Sequence, residues 1–250
     1  MATLHLLGTG AALSDQSRTT TMLAIEGANS LLVVDCGGDA AQRLLACGLD
    51  LRRVSALIVT HEHADHVGGF PLLMERLWLA GHRDQFHVYG IRTAIEQARK
   101  LHDAFDVSTW PSYPRIVYHE VEHVENAVVL VNDDFEVLAS PGEHSVPVVG
   151  LRFRDQRGGG VAVYSCDTQP SDSIARLAKQ ADLLLHEASG SGESHSSAAG
   201  AAGVAVAARA KRLVLVHLPA SHDGGRKILA EARALFPTAE LSADGDSFQF

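Results

Sequence analysis

"LIVTHEHADHVGG", residues 57–69, decides how this chain folds. An apolar run ends on His61, and Glu62, His63, Asp65 and His66 follow at once. A short aliphatic run of this kind reads as a buried strand. Imidazoles and carboxylates gathered directly behind such a strand are costly to desolvate unless something holds them together. A divalent metal would. His61 and His63 alternate along an extended segment, so both face the same side. Asp65 and His66 are adjacent and open the next helix, so their side chains diverge. One pair suits one ion, and the other pair suits a second ion a few ångströms away.

Three further apolar strands end on a potential ligand or acid–base group. "VAVYSC" delivers Asp167, "DLLLH" delivers Glu187 and "RLVLV" delivers His217. Groups on rigid strand ends can converge in a cleft with little ordering cost. His144 lies in "SPGEHSVPVVG", just after the strand "FEVLA". With these the ligand count closes. His61, His63, His144 and Asp167 would surround one metal, and Asp65, His66, His217 and Asp167 the other, with Asp167 bridging. Imidazole nitrogen and carboxylate oxygen suit zinc, and manganese or iron accept the same donors. A lone histidine at a strand end is more often structural; five such groups within six positions are not. His5, His82, His87, His102, His119, His123 and His222 are read as surface or locally hydrogen-bonded groups.

The 250 residues, 46% apolar and 20% charged, suffice for one domain over residues 1–250 with a sizeable core. A formal net charge of -9 argues against a polyanion-binding surface overall. A nucleic-acid partner would need a local basic patch or metal ions to offset that field. No charge-poor run reaches transmembrane length, and "MATLHLLGTGAALS" lacks the features of a signal peptide. Cys36, Cys47 and Cys166 show no C-x-x-C spacing and leave one over, which predicts a reduced, cytoplasmic protein.

Strands are expected at 4–7, 22–26, 30–34, 56–59, 87–89, 127–131, 135–139, 150–153, 160–164, 183–185, 213–216 and 247–250. "RGGG" at 157–160 reads as a hairpin turn. Helical patterns lie between strands. "DAAQRLLACG" and "FPLLMERLWLAG" close on Gly48 and Gly81, as left-handed helix ends do. Ser171 is placed as the N-cap of "SDSIARLAKQ". "SSAAGAAGVAVAARA" is small enough to pack close to a sheet. Hairpins mixed with strand–helix units predict an α/β fold of two mixed sheets, face to face, with helices outside.

The H-x-H-x-D-H string at 61–66, with the later His144, Asp167 and His217, resembles the metallo-β-lactamase superfamily. "LGTGAA" and "LLVVDCGG" resemble its first stretches, so the likeness covers nearly the whole chain. It implies an αββα sandwich with metals at one edge, and it makes Asp35 a buried carboxylate that braces the metal loop. "HSVPVVGLRF", "VYSCDTQP", "LLLHEASG", "SHSSAA" and "KRLVLVHLP" are similar to the ribonuclease Z-like members. By that resemblance Glu187 orients His195, which touches phosphate or protonates the leaving oxygen. Asp65 ligates a metal and holds a metal-bridging hydroxide that attacks phosphorus. The substrate is then a phosphodiester, either RNA, as in tRNA 3′-end processing, or a small or cyclic nucleotide. Members of the group are often homodimers.

Two departures from that pattern matter. "SCD" stands where "SGD" is expected, placing Cys166 beside Asp167 as a buried neutral thiol. Only a hairpin separates His144 from Asp167, where long forms carry a protruding arm that grips tRNA. Hydrolysis of an ester, thioester or lactone is the alternative chemistry, and a metal-bound carrier or sensor the non-enzymatic one. Residues 104–118 read as an irregular segment covering the core, although Phe105, Trp110 or Tyr113 could stack a base. Ser221, His222 and Arg226, just after His217, are the candidates for contact with substrate phosphate.

Overall fold

The computed structural model describes every residue except Ser191, Glu193, His222 and Gly224. Two seven-stranded sheets face each other. The first runs in the order β14-β1-β2-β3-β4-β5-β6. Its strands are β1 (Thr3–Gly8), β2 (Met22–Glu26), β3 (Leu31–Val34), β4 (Val54–Val59), β5 (Phe86–Gly90), β6 (Ile116–Glu120) and β14 (Ser247–Gln249). The second runs β13-β12-β11-β10-β9-β8-β7. It comprises β7 (Ala127–Val131), β8 (Phe135–Pro141), β9 (Val149–Asp155), β10 (Val161–Tyr164), β11 (Leu183–Glu187), β12 (Leu213–Val216) and β13 (Glu240–Leu241). Each sheet starts with antiparallel hairpins and ends with parallel strands: β3 to β6 in the first, β10 to β13 in the second.

Helices cover the outer faces. α1 (Ala40–Ala46), the short α2 (Ala64–Val67), α3 (Phe70–Leu79) and α4 (Arg92–Asp103) lie with the first sheet; α5 (Asp172–Leu177), α6 (Ala198–Ala208) and α7 (Arg226–Arg233) lie with the second. The central strands β3, β4, β10, β11 and β12 are almost wholly buried, which is why they read as apolar runs. Along β10 to β12 the side chains alternate. Tyr164, Leu185 and Val216 join the core between the sheets. Val163, Leu184 and Leu215 join a separate cluster under α5, α6 and α7. The alanines of α6 let that helix sit close to the sheet. Gly48 (φ 75) and Gly81 (φ 94) end α1 and α3 in the left-handed region.

The α/β sandwich is therefore the predicted one, and so are most strands. Three details differ. Ile116–Glu120, whose first three residues fall in the segment read as irregular, is the edge strand β6; it is nowhere fully buried, and its apolar stretch is only three residues long. Glu240–Leu241 is a strand too short to leave a pattern. Ser171 occupies the N-cap of α5, but its side chain makes no capping bond. The 156–160 turn closes β9 onto β10 in antiparallel register as expected. No helix is long and apolar enough to cross a membrane.

Candidate metal centre

The site lies where the parallel strands of both sheets end. β4 ends at Val59 and passes the chain to His61 and His63, and α2 carries Asp65 and His66. The loop after β3 supports this segment from behind. Cys36 N–H donates to the His66 carbonyl at 2.7 Å, and Gly69 N–H to the Cys36 carbonyl at 2.7 Å. The approach is so close that a Cβ on Gly37 would fall 1.7 Å from the Asp65 carbonyl oxygen, which explains glycine in "DCGG".

Asp35, fully buried at the end of β3, anchors the loop electrostatically. Its Oδ1 accepts from Thr60 N–H at 2.9 Å, both oxygens lie within 3.0 Å of Thr60 Oγ1, and Oδ2 lies 2.8 Å from His66 Nδ1. Accepting from Nδ1–H leaves His66 Nε2 bare and aimed the other way. Thr60 was not singled out from sequence, yet its hydroxyl also lies 3.1 Å from His61 Nδ1.

Two groups of donor atoms result. In the first, His63 Nδ1 is 3.1 Å from His61 Nε2 and 3.2 Å from His144 Nε2. A tetrahedral ion with bonds of about 2.0–2.1 Å sets neighbouring nitrogens roughly 3.3 Å apart, so this spacing suits one ion. In the second, His66 Nε2 and His217 Nε2 are each 3.5 Å from Asp65 Oδ2, and 3.4 and 3.3 Å from Asp167 Oδ2. His66 Nε2, His217 Nε2 and Asp167 Oδ1 are buried without a hydrogen-bond partner among the described residues. Buried polar atoms are almost always satisfied, so two orphaned imidazole nitrogens that both face Asp65 Oδ2 and Asp167 Oδ2 mark a place for a cation. Asp167 Oδ2 lies 4.0 Å from His61 Nε2, between the groups. The donor set fits divalent metal, and all seven side chains proposed from sequence meet here.

Glu187, fully buried at the end of β11, faces the same cleft. Its Oε1 accepts from Thr168 N–H at 2.9 Å and lies 2.8 Å from His195 Nδ1; Oε2 accepts from Ser189 N–H at 3.0 Å and Ser189 Oγ at 2.8 Å. The His195 side chain remains 32% exposed, so its other nitrogen is open to a substrate. The hydrogen bond to Glu187, which outweighs desolvation, raises the His195 pKa above the ordinary histidine value. The His195 ring stacks on His217 at 5.6 Å. The segment that carries it also touches the first donor group: His144 Nδ1 donates to the Ser194 carbonyl at 2.7 Å. No sequence signal marks a carbonyl, so that support was invisible.

The remaining candidates are placed less centrally. Ser221 Oγ and Arg226 Nε both bond to Asp223, within their own turn, and His222 lies outside the described residues. Trp110 packs on Trp78 at 4.7 Å, and Trp78 Nε1–H donates to the Pro111 carbonyl, so part of the 104–118 segment covers α3. Among the other histidines, His5 meets Glu26, His87 meets His119, His102 meets the Tyr113 hydroxyl and His123 meets the Val148 carbonyl; His82 departs from the expectation, buried with Nε2 unpaired among the described residues.

A sandwich of two mixed sheets with a His- and Asp-rich donor set at the strand ends defines a metal-dependent hydrolase of the metallo-β-lactamase fold, ribonuclease Z-like. The chain belongs to the family described as anti-Pycsar protein Apyc1, whose model matches residues 2–227. It is similar to ribonuclease Z of Myxococcus xanthus (strain DK1622), 30% identical over 297 aligned positions that cover 97% of this chain and 95% of that one. It is similar also to ribonuclease Z of Methanothermobacter thermautotrophicus, at 26% identity, covering 98% and 95%. In fold it resembles the crystal structure of the metallo-beta-lactamase fold protein YhfI from Bacillus subtilis, with a TM-score of 0.82, 22% identity and coverage of 99% and 98%.

Proposed function

We propose that this chain is a dinuclear metal-dependent phosphodiester hydrolase that acts on small nucleotides, cyclic ones included. The observation that carries the reading is His195, fixed by buried Glu187 at 2.8 Å, beside seven converging metal donors. His61, His63 and His144 would hold one ion and Asp65, His66 and His217 the other, with Asp167 shared and zinc the best match to the donors. Such an ion pair supplies a water made acidic near neutral pH and positive charge against a phosphate oxygen.

The chain's own residues do the rest. Asp65 Oδ2 lies 3.5 Å from His66 Nε2 and from His217 Nε2, with its side chain 15% exposed to the cleft. As a carboxylate, Asp65 would bind metal through one oxygen and accept a hydrogen bond from the attacking water with the other. Glu187 accepts from Nδ1–H of His195 and so orients Nε2 toward the cleft. With Nε2 protonated, His195 gives that proton to the departing alkoxide, help typically worth about 10²–10⁴ in rate. The products are an alcohol and a phosphate monoester, both carried on one nucleotide when the substrate is cyclic.

Small substrates are favoured by the short turn joining β9 to β10 and by the net charge of -9. A structured RNA would need a cationic grip beyond the metals. Cleavage of precursor tRNA is the second reading, favoured by the near full-length match to proteins named ribonuclease Z. Three free thiols support a reducing, cytoplasmic setting. Purified, metal-analysed protein should be offered bis-p-nitrophenyl phosphate, 2′,3′-cyclic nucleotides, a precursor tRNA and a thioester. The first two should be hydrolysed and the tRNA left intact. Cleavage of the thioester alone would reject phosphodiester chemistry.

A further inference from the structure

Cys166 stands where the backbone disfavours a side chain. Its φ is 55°, in the left-handed region that glycine adopts freely and other residues at a cost. It follows the last residues of β10 and directly precedes Asp167, and it is fully buried. Glycine would remove that strain, and with it the contacts that the thiol makes.

The hydrogen bonds around Thr60 show what those contacts do. A hydroxyl has one proton to donate and two lone pairs. Thr60 Oγ1 donates to the Asp35 carboxylate at 2.9–3.0 Å. One lone pair faces His61 Nδ1 at 3.1 Å. The other accepts from the Cys166 thiol at 2.9 Å. All three positions are then filled, in a place closed to water. His61 Nε2, on the far side of the ring, is the atom that faces His63 and Asp167.

We propose that Cys166 is a positioning residue for His61: its thiol completes the acceptor shell of Thr60, locks the hydroxyl proton onto Asp35, and so obliges His61 to donate from Nδ1 and keep Nε2 bare for metal. Without the thiol the Thr60 hydroxyl is free to turn its proton toward His61 Nδ1. That exchange favours the tautomer with hydrogen on Nε2, which cannot ligate. The sulfur itself stays a hydrogen-bond donor and is not a ligand. The inference rests on the reading of His61 as a metal ligand.

The test is a zinc titration of metal-stripped full-length protein against a chromophoric chelator, with the melting temperature of the metal-free form measured in parallel. Cys166→Gly should melt at or above the wild-type temperature, yet bind zinc about tenfold more weakly, at the low end of the 10–100-fold effects of partners that orient ligands. Cys166→Ala should lose affinity to the same degree. Cys166→Ser keeps a donor and should return to within about threefold of wild type. Loading wild type with cobalt(II) should give no sulfur-to-metal charge-transfer absorption. Unchanged zinc affinity in the glycine and alanine variants would overturn the proposal, and so would a sulfur-to-cobalt band. If wild type takes up no zinc at all, the metal reading of His61 fails with it; if wild type binds and the variants bind equally, only the role of Cys166 fails.

Discussion

Replacing Glu187 by glutamine keeps the volume of a fully buried side chain and removes its charge. The carboxylate has four partners: Thr168 N–H and His195 Nδ1 on Oε1, and the amide and hydroxyl of Ser189 on Oε2. An amide has only one oxygen. Held toward Thr168 and His195, it leaves Ser189 N–H facing an NH₂ group; turned round, it abandons His195. One unsatisfied buried donor costs about 1–3 kcal/mol of stability. For catalysis the relevant quantity is the charge-assisted bond to His195, about 1.5–3 kcal/mol. At about 1.4 kcal/mol per decade this slows the step that needs the proton roughly 10- to 150-fold. Only leaving groups that need the proton should feel it. Initial rates are to be compared on a cyclic nucleotide, which expels an alkoxide, and on bis-p-nitrophenyl phosphate, whose nitrophenolate leaves unaided. The first should fall by the stated factor and the second by less than about threefold. Equal losses on both substrates, or loss of bound metal from the variant, would refute the role given to the Glu187–His195 pair.

His195→Ala should reduce turnover of the cyclic nucleotide by about 10²–10⁴ while elemental analysis finds the metal content unchanged. Asp35→Ala strands Thr60 N–H, Thr60 Oγ1 and His66 Nδ1 in the core; urea unfolding should show a loss of about 3–5 kcal/mol, with metal affinity down about 10–100-fold. Removing metal with a chelator should lower the melting temperature reversibly, since an ion present at about 100 times its Kd stabilises by about 2.7 kcal/mol. Asp134 gives a pH dependence remote from the candidate metal centre. Burial pushes its pKa up, but the amides of Asn29 and Ser30 and the Arg157 guanidinium outweigh this and hold it below the ordinary aspartate value. A depressed carboxylate stabilises fully above its unfolded pKa of about 3.9 and loses that contribution as pH falls through the folded value. Wild type should therefore lose stability below about pH 4 more steeply than Asp134→Asn; parallel curves in acid urea titrations would contradict this.

The candidate metal centre was legible because its chemistry is concentrated. His61, His63, Asp65 and His66 crowd one short segment, and Asp167, Glu187 and His217 each follow an apolar strand that announces itself. What stayed hidden were the supports. Thr60 looks like any strand-end threonine, and the Ser194 carbonyl that orients His144 belongs to the backbone, which carries no residue signal. The strain at Cys166 was signalled only by the glycine expected there, and its contacts with Thr60 by nothing. Edge strands were the weak point of the fold. β6 is half-exposed along its length, so only a three-residue apolar stretch and no alternation marks "RIVYHE". The nearby aromatic residues drew attention as base-stacking candidates, whereas Trp110 packs on Trp78.

Metal stoichiometry of the purified full-length chain, measured by elemental analysis against protein concentration, tests the centre most directly. Two bound divalent ions per chain, falling to one or none when His61 or His217 is replaced by alanine, are the predicted result. A chain that binds none, or that keeps both ions after either replacement, would contradict the paired site.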